Sequence, residues 1–270
     1  IESYEIFLDR MKKLIPSKYT KATHIKYSNT KERVKEFIKH YKKRNDIYLY
    51  ELDTEFMESF DLWLREKYKV SHNTVYKTYQ RFTRFLRQEI ARGNLEKYPF
   101  VDYKIKMVVK QGHYLTYDEI RKIEELKIDN IKLYQCQLLF LFSVFVGTSF
   151  IDMYNARFED LHLDEDGTYW LKTFRQKSKS RVSVPLISNA LRCLQILRSG
   201  MFPIQEGKLL PVKANVHLNY EIKQVCGLAG IASSDKVTWH SARRSTSSLL
   251  MKAGIPLQIL QKVLSHKSIA

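Results

Sequence analysis

His240 and Arg243, a histidine and an arginine three residues apart, are the side chains whose types and spacing best suit chemistry. They lie within residues 238–244, which begin a segment with a helical pattern. Because residues i and i+3 are neighbours on a helix, the two side chains would face the same way. An imidazole and a fork-shaped guanidinium can then bind one phosphate together. A second imidazole, His266, follows an amphipathic stretch near the end of the chain.

The charge of the chain points to a polyanionic partner. The net charge is +17, from 46 basic and 29 acidic side chains. Residues 1–110 hold 25 basic and 15 acidic side chains, and residues 111–270 hold 21 and 14. Both halves are basic, which predicts that both contact nucleic acid. A basic protein without a nucleic-acid partner is the alternative.

Composition argues against several other classes of protein. No uninterrupted apolar run approaches the roughly 18 residues of a membrane span, and the first residues do not resemble a signal peptide. The three cysteines are far apart in the sequence and are typical of small buried side chains in a reducing compartment. They are Cys136, Cys193 and Cys226. We therefore expect no membrane span, no disulfide frame and no metal site built from the cysteines.

The first 105 residues have the pattern of an all-helical domain. Amphipathic segments predict helices over residues 20–43, 55–68 and 71–92. The core face of the third helix comprises Val75, Tyr79, Phe82, Leu86 and Ile90. A different face carries Lys77, Arg81, Arg84 and Arg87. Such a row of cations suits phosphate contacts, and a merely solvated helix face is the alternative.

A second domain follows a basic connector at residues 106–114. It begins with a capping box from Thr116 to Glu119 and contains an almost wholly apolar stretch, residues 138–146, that predicts a buried central helix. Residues 169–174 and 181–186 predict a β-hairpin. Further helices are predicted over residues 189–199, 214–229, 241–253 and 256–264.

Four short stretches, in this order, together resemble the tyrosine recombinases of the phage integrase family: residues 147–152, 175–186, 240–243 and 264–266. The resemblance implies a mainly α fold. An all-helical, SAM-like core-binding domain (1–105) and a linker (106–114) precede an α+β catalytic domain with a small antiparallel sheet (115–270). Three further stretches of sequence are similar to those of integrases of Bacteroides-type conjugative transposons, the CTnDOT-like group. They lie at residues 114–119, 145–153 and 219–230.

The resemblance implies site-specific DNA recombination that integrates or excises a mobile element. In that family a tyrosine attacks the phosphorus, and the 3′-phosphotyrosyl link preserves the bond energy, so no metal or cofactor is needed. The implied partners are double-stranded DNA at attachment sites and further copies, from dimer to tetramer with exchange of the C-terminal segment. A DNA-bending accessory factor is also implied. The implied location is the bacterial cytoplasm, with nucleoid association when DNA is bound.

The resemblance also implies roles for single residues. Arg243 matches the second catalytic arginine, and His240 and His266 match the two histidines. Lys177 matches the lysine that protonates the leaving 5′-oxygen, and Asp152 matches a buried hydrogen-bonding acid. Taken singly, Lys177 also fits a solvated turn and His240 a helix cap. The cation that follows Arg243 is a predicted DNA contact: Arg244.

The chain departs from the family pattern at Ser149, where the first catalytic arginine is usually found. Serine donates one hydrogen bond but supplies no charge. Arg175 is the predicted substitute because it lies two residues before Lys177, and such side chains on a strand share a face. Arg157 and Arg181 are weaker candidates.

The chain also lacks a tyrosine at the family's nucleophile position, shortly after His266. It starts without Met and stops close to an apolar helical pattern, so we expect a piece of a longer protein. The nucleophile would then lie beyond residue 270, leaving this piece inactive, and an arm-binding domain would precede residue 1.

Two other functions remain open at this point. The first is a non-catalytic DNA-binding protein descended from a recombinase, which Ser149 and the missing tyrosine favour. The joint presence of Lys177, His240, Arg243 and His266 argues against it, because a pure binder needs no proton donor. The second is an enzyme like the type IB topoisomerases, which would relax DNA without exchanging partners.

Overall fold

The chain folds into two compact units in the computed structural model, unit 1 at residues 1–110 and unit 2 at residues 111–270. The structure describes residues 1–175 and 180–264. The predicted general acid Lys177 and the predicted second histidine His266 lie outside the described residues. Each unit has its own hydrophobic core.

Unit 1 is helical, as its sequence predicts. Its helices are α1 (Glu2–Lys13), α2 (Lys21–Tyr41), α3 (Thr54–Tyr68) and α4 (His72–Ala91). The Thr20 hydroxyl accepts from the Thr23 amide at the start of α2, and the Asp53 carboxylate accepts from the Phe56 amide at the start of α3. These bonds satisfy amide groups that a helix leaves without partners in its first turn.

The core of unit 1 is dense in aromatic rings. Phe37 on α2 packs edge-on against Phe56 of α3, with ring centroids 5.1 Å apart. On α4, Phe82 and Leu86 are buried where the apolar period places them. The four cations of that helix are therefore left on its other faces. The chain that follows α4 runs back to the first turn of this helix. There, Asn73 Nδ2 donates to the Val108 carbonyl at 2.7 Å.

Unit 2 is built around α6 (Ile131–Val146), which is apolar on nearly all sides and almost wholly buried. It packs against α5 (Tyr117–Glu125), α8 (Ser188–Leu197), α9 (Asn215–Leu228) and α10 (Trp239–Lys252). The short helices α7 (Phe150–Asn155) and α11 (Leu257–Val263) complete the helices of the described residues. The mainly α fold with a small sheet is confirmed.

The sheet of unit 2 has three antiparallel strands in the order β1 (Leu161–Leu163), β2 (Tyr169–Phe174) and β3 (Arg181–Pro185). The predicted hairpin is β2–β3, with Phe174 opposite Arg181. The sequence pattern does not predict β1, because a strand of three half-exposed or exposed residues is too short for its alternation of apolar and polar side chains to be distinctive. The register places Arg175 just past the end of β2, where its amide donates to the Ser180 carbonyl.

Two kinds of feature are absent from the residues that the structure describes. No helix there is both long and apolar enough to cross a membrane. Likewise, those residues contain no cluster of three or more His, Cys, Asp or Glu side chains that could hold a metal ion.

Candidate active site

The candidate site begins at the first turn of α10. Thr238 caps this helix, His240 is exposed in its first turn, and Arg243 follows one turn later with only 5% of its surface exposed. His240 and Arg243 are thus neighbours on α10, as predicted, but they differ in exposure: the histidine is exposed, whereas the arginine is buried in unit 2.

The Arg243 guanidinium is fixed by two backbone carbonyls. Its Nη1 donates to the Gly147 carbonyl at 2.6 Å, and its Nη2 donates to the Leu264 carbonyl. Gly147 ends α6 with a φ of +71°, and Leu264 ends α11. A guanidinium has five N–H groups, so three are left over from these two bonds for an anion. The sequence could not predict these two acceptors, because every residue has a backbone carbonyl and its residue type therefore gives no signal.

The carboxylate of Asp152 joins the other residues of the site. The Ser149 hydroxyl donates to Asp152 Oδ2 at 2.7 Å, while the Asp152 amide donates to Ser149 Oγ at 3.4 Å. Arg175 Nε lies 3.7 Å from the same Oδ2. The Asp152 side chain is 4% exposed and that of Arg175 is 18% exposed. Ser149 caps α7, and its hydroxyl and the Arg175 guanidinium thus contact the same buried carboxylate.

Arg175 and Arg243 also affect each other electrostatically. Burial lowers the pKa of Arg243 to about 10, helped by the positive charge of Arg175 and opposed by the negative charge of Asp152. Arg243 still carries its charge at neutral pH. Two guanidiniums near one carboxylate leave an excess positive charge, which an anionic ligand would neutralise.

The two weaker candidates for the missing arginine, Arg157 and Arg181, are exposed side chains. Arg157 is exposed, and its Nη1 lies 3.5 Å from Glu159 Oε1. Arg181 is exposed at the start of β3. Arg175, by contrast, is largely buried and lies 3.7 Å from the Asp152 carboxylate.

The predicted DNA contacts of unit 1 lie along α4. Lys77, Arg84 and Arg87 are exposed, and Arg81 is half-buried. Burial lowers the pKa of Arg81, an effect that Tyr27 and Tyr4 oppose.

Tyrosine rings lie under the three exposed cations of α4, which the sequence pattern did not reveal. Arg84 lies over the ring of Tyr19, 5.5 Å from its centroid, and donates to its hydroxyl at 3.1 Å. Lys77 lies over Tyr76 at 5.4 Å and Arg87 over Tyr98 at 6.0 Å. Rings at these distances attract cations and restrict their motion.

Both units match models of known protein families. Residues 3–105 match the phage integrase SAM-like domain, and residues 113–270 match the phage integrase family. By sequence, no curated protein matches the chain.

Several solved structures have a similar fold. A lambda integrase dimer bound to a COC′ core site is similar at a TM-score of 0.74 and 16% identity, over 99% of this chain and 95% of that chain. The Tn1549 transposon integrase in complex with transposon right end DNA gives 0.72 and 11%, over 99% and 91%. The XerH recombinase bound to its difH substrate gives 0.69 and 17%, over 91% and 73%.

Proposed function

The chain belongs to the phage integrase family, and from that premise we propose that it cuts and rejoins DNA at specific sites as a tyrosine recombinase. The observation that carries the proposal is the pair of guanidiniums, Arg175 and Arg243, that share the electrostatic surroundings of the buried Asp152. Two such groups can grip the nonbridging oxygens of a phosphodiester and stabilise the charge that develops during attack.

The reaction transfers a phosphoryl group from one oxygen to another. A tyrosine oxygen bonds to the phosphorus, the bond to the 5′-oxygen breaks, and that oxygen takes up a proton. The attack of a 5′-hydroxyl on the phosphotyrosine reverses these changes. Arg243 and Arg175 hold the phosphate, and His240 donates a hydrogen bond or moves a proton. Lys177 protonates the leaving oxygen, and His266 binds a nonbridging oxygen.

Arg175 takes the part of the arginine that the family usually has at position 149. Loss of one transition-state donor costs on the order of 3–4 kcal/mol, so an uncompensated Ser149 would leave a weak enzyme. The ion pair between Arg175 and Asp152 places a guanidinium within 3.7 Å of the carboxylate that Ser149 binds. Asp152 therefore serves as a scaffold that positions the substitute.

The substrate is double-stranded DNA at the ends of a mobile element, of the kind carried by Bacteroides-type conjugative transposons. Lys77, Arg81, Arg84 and Arg87 of α4 contact phosphates in this proposal, and Arg244 contacts a phosphate near the cut. Support comes from the excess of basic residues in both units and from similar folds solved as integrases on DNA. The similar lambda integrase was solved as a dimer and as a tetramer. Assembly of two to four copies with exchange of the C-terminal segment, aided by a DNA-bending factor, belongs to the same proposal.

A non-catalytic DNA-binding protein is the alternative, and the position of Arg243 argues against it. A cation that only binds DNA does best at the surface, whereas Arg243 is buried at a cost in solvation. Such a cost is typical of groups placed for catalysis.

The experiment that tests the proposal uses the protein extended through the residues encoded after Ala270, where the nucleophile is expected. It is incubated with nicked duplexes from the ends of its element, in EDTA and without ATP. The nick lets a short strand leave after cleavage and traps the intermediate. The readout is a protein–DNA adduct that resists SDS and is destroyed by protease.

Formation of this adduct is the expected result, because the phosphotyrosyl link needs no metal. Tight binding to the same duplexes with no adduct would contradict the proposal and favour the non-catalytic alternative. Sequencing the peptide left on the DNA identifies the nucleophile.

A further inference from the structure

The first residues of unit 2 are attached to α10, the helix that carries the candidate site. The Leu115 amide donates to the Ser245 hydroxyl at 2.8 Å, and Leu115 is fully buried. His113 Nε2 lies 3.1 Å from Ser233 Oγ, just before α10 begins. These contacts fix the course of residues 112–115 along one side of the helix.

Gly112 lies directly against the guanidinium of Arg244. A Cβ atom at Gly112 would be 1.9 Å from Arg244 Cζ and 2.2 Å from both Nε and Nη1. The backbone of Gly112 is outside the left-handed region that favours glycine, so its conformation does not require this residue type. Glycine instead leaves room for the guanidinium, because a Cβ atom would displace this far end of a flexible side chain.

Arg244 is an exposed cation whose guanidinium lies against the Gly112 backbone. In the part of the chain that the structure describes, no carboxylate forms an ion pair with it. Fixing a long side chain costs conformational entropy, which an ion pair would normally offset. The neighbouring Arg243 points inward, so the two arginines present one cation inside the candidate site and one at its edge.

We propose that Gly112 is a positioning residue that holds the Arg244 guanidinium against a DNA phosphate next to the one that is cut. The inference rests on the proposed function. It adds that the course of the chain into unit 2 determines one of the phosphate contacts on the catalytic helix.

The test is a double-mutant cycle with Gly112→Ala, Arg244→Ala and the double variant, made in the extended protein. Adduct formation is followed on the nicked duplex that the unchanged protein cleaves, and DNA affinity is measured over a range of salt concentrations. Gly227→Ala is the matched control. Gly227 also has ordinary backbone angles, but a Cβ there would meet only Ser234 Oγ at 4.0 Å.

We expect Gly112→Ala and Arg244→Ala to weaken DNA binding alike and to lower the slope of log affinity against log salt by about one. In the double variant, Gly112→Ala should have no further effect, because the group it displaces is absent. Gly227→Ala should leave binding unchanged.

An equal loss from Gly112→Ala with and without Arg244 would overturn the proposal, since the glycine would then act by another route. Unchanged binding in Gly112→Ala would overturn it as well. If Gly112→Ala does not fold, the proposal requires Arg244→Ala to restore folding, which thermal melting tests. Absence of adduct with the unchanged protein counts against the proposed function instead.

Discussion

Arg243 is a cation kept almost entirely out of water, and this costs stability. Burial lowers the pKa of Arg243 to about 10, and a shift of this size below the usual arginine pKa corresponds to about 3 kcal/mol. The pKa is depressed, so this cost is fully present below pH 10, where the group is charged in both the folded and the unfolded states. It disappears only as both states lose the proton at more alkaline pH. Two carbonyls hold Arg243 in place despite this cost.

Replacing Arg243 with alanine should abolish strand cleavage while sparing most DNA affinity. Removal of one transition-state donor slows catalysis about 100-fold or more, whereas many cations share the phosphate contacts. Adduct yield and DNA titration measure the two effects. Arg121→Ala is the control, because Arg121 is exposed and forms an ion pair with Glu125, one turn further along α5. Equal losses of cleavage in both variants would contradict the role of Arg243.

Replacing Arg175 with alanine should reduce cleavage nearly as much as loss of Arg243. The same substitution at Arg157 or at Arg181 should have little effect, because both side chains are exposed, whereas Arg175 lies against the buried Asp152. Adduct formation by the three variants on one nicked duplex is the measurement. Normal cleavage by Arg175→Ala would remove it as the substitute for the missing arginine, and a strong loss at Arg157 or Arg181 would point to that residue.

Among the secondary-structure elements, the turn at the end of α6 does the most to position the site. Gly147 adopts a left-handed conformation there and presents its carbonyl to Arg243. A Cβ at Gly147 would lie 3.0 Å from Leu264 Cδ2 and 3.2 Å from Thr246 Cγ2. Three elements, α6, α10 and α11, therefore meet with little free space beside Arg243.

Gly147→Ala should destabilise the protein and impair cleavage together. The left-handed backbone costs roughly 1 kcal/mol for alanine, and the two close contacts add to it. Gly200→Ala separates these causes, because Gly200 has a φ of +94° with nothing within 4 Å of a Cβ. Chemical denaturation should show the larger loss for Gly147→Ala, and only this variant should lose adduct yield. Equal destabilisation would show that packing at this turn contributes little.

The elements themselves were largely predictable, and the contacts between them were not. Periodic apolar side chains predicted α2, α3 and α4 to within two residues at each end. The same spacing is present in α1, through Tyr4, Phe7, Leu8 and Met11, but no helix was assigned there. Strand geometry suggested Arg175 as the substitute arginine. In the structure Arg175 lies just past the end of β2, and its ion pair with Asp152 depends on tertiary packing. The backbone carbonyls that hold Arg243 leave no signal in residue types.

At the scale of the whole molecule, the positive charge is distributed over both units but is organised on particular faces. On α4, the exposed cations are each held over a tyrosine ring. Position should therefore matter more for DNA binding than the net charge of +17.

Two triple variants with equal net charge test this statement. Replacing Lys77, Arg84 and Arg87 with alanine should lower the salt slope of DNA binding by about three. The same change at Arg10, Lys12 and Lys13, exposed cations at the end of α1, should have a much smaller effect. Fluorescence anisotropy with a labelled duplex provides the slopes. Similar slopes for the two variants would mean that DNA responds to net charge alone.

The most direct measurement is cleavage of a nicked duplex whose scissile phosphate is replaced by a methylphosphonate. This group lacks the nonbridging negative charge that the guanidiniums are proposed to neutralise. Arg175→Ala should be nearly inactive on the phosphate and regain adduct formation on the methylphosphonate, while Arg121→Ala should cleave the phosphate normally. Failure of Arg175→Ala on both substrates, or full activity on the phosphate, would contradict the assignment of Arg175 as the second guanidinium of the site.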